Sequence, residues 1–128
     1  MDTLPDPFLF SLFEGLPRKG PGSAASTERA CRYIDRYLHH PPILDIGCGS
    51  GASARERARL SHGEVVAVDL HRPFMRELRA AAAAGDTGRQ ITALQATMDR
   101  LPLREGTLDA IWSEGAIFIM GFWQGLRS

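Results

Sequence analysis

The 128-residue chain has two cysteines, no excess of charge of either sign and no long apolar run, and each shortage removes a class of protein. Cys31 and Cys48 make no disulfide framework and neither stands in a metal-ligand spacing, so no metal is expected. Fifteen Lys and Arg balance fifteen Asp and Glu. A nucleic-acid binder working by counterion release carries a basic excess, and this chain has none. The longest apolar run, residues 116–123, contains Gly121 and falls far short of a bilayer span, so no membrane is expected. The N-terminus, Met1-Asp2-Thr3-Leu4-Pro5, is acidic and proline-rich, the wrong chemistry for a signal peptide. The expectation is a soluble, cytoplasmic protein. What is present is ordinary globular usage, 44% apolar and 23% charged, at a length that suits one domain and not two.

Residues 1–25 read as an arm. Pro5, Pro7, Pro17 and Pro21, with Gly15, Gly20 and Gly22, interrupt any helix, while Phe8, Leu9, Phe10, Leu12 and Phe13 offer surface to bury. Residues 26–128 form the domain proper. A helix is predicted from Ser26 or Thr27, either of which can cap it. Ala30, Cys31, Ile34 and Leu38 make its apolar stripe, and Pro41-Pro42 ends it. Strands are then predicted at 43–46, 65–68, 91–96 and 108–112, with helices at 52–60 and 73–84. Pro73 suits the first turn of the second of these helices and Gly85 supplies its stop. Apolar strands without alternation, separated by helices, predict an α/β fold with a parallel sheet.

The most informative segment is Leu44-Asp45-Ile46-Gly47-Cys48-Gly49-Ser50-Gly51. A strand that ends in alternate glycines and then enters a helix lets backbone approach a ligand closely, with free N–H donors at the helix start. A mere tight turn does not need three glycines in five residues, and their chain entropy opposes folding. Gly47-x-Gly49-x-x-Ala52 also satisfies the looser dinucleotide fingerprint, so NAD or NADP is the competing ligand. Asp45 tilts the choice. A carboxylate beside the bend repels a pyrophosphate and suits a ligand that carries an ammonium and a sulfonium. Asp69, at the end of the second strand, can accept both hydroxyls of a ribose, which either ligand possesses.

These residues resemble class I S-adenosylmethionine-dependent methyltransferases, with residues 44–51 matching motif I and Val65-Val66-Ala67-Val68-Asp69 the second motif. The chain is most similar to small-molecule enzymes related to the ubiquinone and menaquinone methyltransferases. Four further segments carry that likeness: Gly15-Leu16-Pro17-Arg18-Lys19-Gly20-Pro21-Gly22-Ser23, Asp69-Leu70-His71-Arg72-Pro73-Phe74, Thr97-Met98-Asp99-Arg100-Leu101-Pro102 and Asp109-Ala110-Ile111-Trp112-Ser113-Glu114-Gly115-Ala116-Ile117. Leu70 and Thr97 depart from the commoner family residues. The resemblance implies S-adenosyl-L-methionine as cofactor and a Rossmann-like parallel sheet. It implies that Asp45, Gly47, Cys48 and Gly49 border the methionine part of the cofactor, with Gly51 allowing close approach. Asp69 would hold the ribose, Leu70 would pack on the adenine, and Met98 and Asp99 would bond its edge. Ser113 and Glu114 would lie near the sulfonium and a small-molecule acceptor.

Glu114 is the one candidate for a general base. Methyl transfer to an already nucleophilic atom needs chiefly alignment, however, and a helix-start carboxylate explains Glu114 equally well. His71 sits at a strand-to-helix junction, either over the pocket or in solvent. His39, His40 and His62 read as surface positions, Cys48 as a small loop residue, and Met75 and Met98 as packing. The family's sheet has seven strands, so the resemblance makes this the N-terminal half, truncated after the fourth strand, with helices mainly on one face. That expectation leaves strand four as an open edge. It also leaves Trp112, Phe118, Ile119, Phe122 and Trp123 as an apolar patch whose exposure forfeits on the order of 5–10 kcal/mol. A homodimer or a partner chain would cover it. The competing functions are an NAD-dependent oxidoreductase fragment and a non-catalytic interaction module.

Overall fold

The computed structural model describes residues 7–116 and 121–127. Four strands, β1 (Ile43–Ile46), β2 (Val65–Asp69), β3 (Ile91–Gln95) and β4 (Ala110–Trp112), form one sheet in the order β3-β2-β1-β4. All three pairings are parallel. Five helices accompany it: α1 (Pro7–Ser11), α2 (Ala24–Asp35), α3 (Ala52–Ser61), α4 (Arg72–Ala84) and α5 (Phe122–Gly125). From β1 the chain runs outward through β2 to β3, then crosses back to place β4 on the other side of β1. That reversal is a topological switch point, and α/β sheets bind ligands in the crevice outside the carboxyl ends of the strands there.

Register explains the core. Partners in a parallel ladder point the same way, so Ile43, Asp45, Val65, Ala67, Ile91, Ala93 and Trp112 share one face. Ala54 and Ala58 from α3 and Phe74, Met75 and Leu78 from α4 pack there against Val65 and Ala67, and all are buried. Small alanines on α3 let that helix approach the sheet closely, and Met75 and Leu78 fill the space beside it at 0% exposure. The opposite face carries Leu44 and Val68, which are buried, and Ile111, which is 68% exposed. α2 docks on α3 through Arg57, whose guanidinium is 2% exposed and donates to Asp35 at 3.0 Å and to the Cys31 carbonyl at 3.4 Å.

Several boundaries differ from those expected. α2 starts at Ala24, because Ser23 accepts the Ser26 amide at 3.2 Å, which places Ser26 inside the first turn. It stops at Asp35 and not at Pro41-Pro42: the Tyr37 and Leu38 amides both turn back to the Ile34 carbonyl, closing the last turn. The arm holds a short helix after all, with Pro7 as its first residue, where a missing N–H costs nothing. Phe10 and Phe13 pack on the core, whereas Phe8, Leu9 and Leu12 are exposed. β4 begins at Ala110, two residues late. β3 is half-covered, with Thr92 and Gln95 exposed, because it forms the sheet's edge. Trp112 is half-buried and does not belong to the apolar patch. Of its other expected members Phe122 and Trp123 are exposed, and Phe118 and Ile119 lie outside the described residues; Ile111 and Leu126 are exposed as well. No helix among the described residues is long and apolar enough to cross a membrane.

Candidate functional site

β1 delivers its chain to the switch point and the glycines turn it there. Gly47, Gly49 and Gly51 have φ of +69°, +58° and +80°, a region that other residues enter only with strain. Space is short as well. A Cβ on Gly47 would collide with that of Ala116, and one on Gly51 with Leu78. The Gly47 and Cys48 amides donate to the Val68 carbonyl at 2.8 and 3.0 Å, tying the bend to β2. The Asp69 carboxylate completes the brace. Its Oδ2 accepts the Gly49 amide at 2.9 Å and its Oδ1 the His71 amide at 3.0 Å.

Asp45 lies beneath this bend, 3% exposed, and its Oδ2 has no hydrogen-bond partner. Asp45 thus precedes the bend at residues 47–51 on β1, and Asp69 meets it from the end of β2. Burial, reinforced by the charges of Glu114 and Asp69 and opposed by Arg18, pushes the Asp45 pKa up to about 7. Burial, with Asp45 and Asp69 nearby, drives the Cys48 thiol far above its usual range, which leaves no thiolate for nucleophilic chemistry.

Glu114 follows β4 in a bend, and the residues 117–120 that a helix start there would need lie outside the described residues. Four side chains donate to its carboxylate: Ser53 at 2.7 Å, Trp112 at 3.2 Å, Arg18 at 3.3 Å and Thr27 at 3.5 Å. These four donors occupy its oxygens and fix the carboxylate in place. Ser113 donates to the Ile46 carbonyl at 3.4 Å, stitching β4 to β1 at the bend. The Met98 methyl lies 3.8 Å from where a Gly47 Cβ would stand. Leu70 is half-buried and Asp99 exposed on neighbouring loops, and among the described residues neither side chain hydrogen-bonds to this group.

Other singled-out residues take structural roles. His71 is neither solvated nor free. It stacks on Phe10 at 4.4 Å with the rings parallel to 1°, and its Nε2 meets Glu14 at 2.7 Å. Met75 is core packing, and His39, His40 and His62 are exposed. Sequence reasoning missed the arm's share in the site. Arg18 reaches Glu114, Ser53 and Thr27. Lys19 lies against Gly49, with its ammonium 3.0 Å from Glu77 and 5.3 Å from the centre of the Phe74 ring. The signal was the glycine- and proline-rich stretch 15–23, legible as a family mark and unread as contact chemistry.

Three carboxylates, Asp45, Asp69 and Glu114, gather at the carboxyl ends of the strands of a neutral chain, with Arg18 the counter-charge paired to Glu114. The local field favours a cation and opposes a diphosphate.

Known proteins resemble this chain in sequence and in fold. The methyltransferase domain family matches residues 43–126. The chain is 35% identical over 97 residues to the malonyl-[acyl-carrier protein] O-methyltransferase of Methylovorus sp. strain MP688, covering 70% of this chain and 32% of that protein. It is 37% identical over 113 residues to the ribosomal protein L11 methyltransferase of Pelobacter propionicus, covering 84% and 35%. The chain therefore spans about a third of the length of these curated relatives. A solved S-adenosylmethionine-dependent methyltransferase from Geobacter sulfurreducens, in complex with S-adenosyl-L-homocysteine, superposes with a TM-score of 0.78 at 18% identity, over 98% of this chain and 52% of that one. With a Rossmann-like α/β sheet, the glycine bend of motif I and a family match that runs from β1 to α5, this chain belongs to the methyltransferase domain family.

Proposed function

We propose that the glycine bend at residues 47–51, with Asp45 and Asp69, binds S-adenosyl-L-methionine and that the chain supplies the cofactor half of a methyl transfer to a small-molecule acceptor. The carrying observation is the buried, unpartnered Oδ2 of Asp45 beneath a bend that Asp69 braces. The residues present fit this cofactor. Asp45 offers an acceptor for an ammonium group. Gly47, Cys48 and Gly49 border the methionine part, while Gly51 shapes the bend, its missing side chain making room for Leu78. Each Asp69 oxygen accepts one amide and keeps a lone pair for a ribose hydroxyl. Leu70, Met98 and Asp99 lie on the two loops that would flank the adenine, and Ser113 lies on the β4 side.

The cofactor, when bound, supplies a methyl group on a positively charged sulfur. This chain's own residues bind and orient. Asp45 and Asp69 set a negative field, the glycine bend fixes the approach, and Glu114, with its carboxylate fully engaged, is not a general base. The NAD reading is disfavoured because a diphosphate would meet Asp45 and Asp69 together. Residues 1–25 are proposed as an arm and 26–128 as the domain, and the cytoplasm as the location. The exposed Ile111, Phe122, Trp123 and Leu126 support a homodimer or partner chain over the β4 side. Calorimetric titration with S-adenosyl-L-homocysteine and, separately, NAD tests the ligand. Binding of the first alone is expected, and binding of NAD alone would overturn the reading.

A further inference from the structure

We propose that Arg18 and Glu114 form a latch that holds the arm across the glycine bend, which makes both of them positioning residues. The inference rests on the cofactor reading for its ligand and on the geometry alone for the latch. The arm travels from α4 to β4 over the glycine bend. At one end Phe10 stacks on His71 and Glu14 pairs with the same ring. In the middle the Lys19 side chain is 3% exposed, held between Gly49, Phe74 and Glu77. Beside Lys19, Arg18 meets Glu114 at 3.3 Å and shares Ser53 and Thr27 with it, and at the far end Gly22 also lies against Glu114.

The two sides interlock sterically as well as by charge. A Cβ on Gly22 would collide with the Glu114 carboxylate, and one on Gly115 would come within 2.9 Å of the Pro21 ring. Glu114 is thus the point where the arm, α2 through Thr27, α3 through Ser53 and β4 through Trp112 converge. Two residues on, Ala116 is packed so tightly against Gly47 that no side chain fits between them. Fixing Glu114 therefore fixes the segment that packs on the bend through Ala116, and releasing it frees the arm and that segment together.

Hydrogen exchange by mass spectrometry on the full chain, with and without S-adenosyl-L-homocysteine, tests this. In Glu114→Ala, amides of residues 8–22 should exchange at least about tenfold faster, while those of 65–82 hold their wild-type rates, because local opening precedes global unfolding. Saturating ligand should slow the arm in the wild type and fail to slow it in the variant. Ligand affinity should fall about tenfold. Arg18→Ala, which alters the arm side alone, should show the same pattern and keeps the test sound if Glu114→Ala does not fold. Arm amides as slow in both variants as in the wild type would overturn the latch. So would core amides that accelerate in step with the arm. Failure of the wild type to bind the ligand would overturn the cofactor reading instead, and the exchange rates without ligand would still judge the latch.

Discussion

Asp69 and Gly49 are joined by a 2.9 Å hydrogen bond from the glycine amide to the carboxylate. The acid that is proposed to hold a ribose thus also holds the shape of the bend, so binding and local order are tied to one side chain. Asp69→Ala should cost about 1.5–3 kcal/mol of stability, the range for hydrogen bonds to a charged group, and weaken S-adenosyl-L-homocysteine binding roughly ten- to a hundredfold. Urea titration and calorimetry measure the two. Equal affinity in both proteins would remove Asp69 from the cofactor site.

Asp45 gives a pH signature. Its pKa rises from 3.8 to about 7 on folding. Below the lower value both states are protonated and Asp45 contributes nothing to the pH dependence. Between the two values the unfolded chain loses its proton and the folded chain keeps it, so stability falls as pH rises, by on the order of 4 kcal/mol in all. Asp45→Asn should remove most of that slope, gaining stability at pH 8 relative to the wild type and little at pH 4. A cationic ligand favours the ionised form, so binding near pH 6 should release a proton, visible as a buffer-dependent heat. Parallel stability profiles for the two proteins would contradict the burial argument.

Gly51 is tightly packed in the bend, with φ at +80° and Leu78 directly against it. Gly51→Ala should destabilise the chain by about 1–3 kcal/mol through backbone strain and overpacking together. Gly51→Ala with Leu78→Ala should recover part of the collision and none of the strain, and it adds the cost of a core cavity. Denaturant midpoints of the single and double variants, with Leu78→Ala alone, separate these contributions.

The thiols should be silent. Cys31 is 1% exposed, burial raises its pKa, and burial does the same more strongly for Cys48. Neither should react with Ellman's reagent at pH 8 in the folded chain, and both should react at once in denaturant. Rapid native reaction of Cys48 would mean that the bend is open to solvent.

Much of this was legible in the residues. Val65-Val66-Ala67-Val68 admits no solvent-facing alternation and became a central strand, and Pro73 with Gly85 bounded α4 to within a residue. That Asp69 ends the second strand and Asp45 stands in the first, beside the glycines, was legible as well. Other features depend on contacts that no local pattern carries. Ser23 caps α2 where the arm, at Gly22, passes close to Glu114, a residue far away in sequence. Trp112 looks like patch material until its indole N–H finds the same carboxylate. Arg18 and Lys19 stand in the sequence only as part of the family-like stretch 15–23, and their contacts exist only once the arm lies over the bend.

The bond between the Trp112 indole and Glu114, 3.2 Å long, gives the molecule a built-in optical probe. The chain's other tryptophan, Trp123, is 72% exposed and should emit as a hydrated indole whatever the arm does. In a Trp123→Phe background, emission would come from a single fluorophore seated where four elements meet. Its colour and intensity would then follow the clasp in real time, without a dye or a second chromophore.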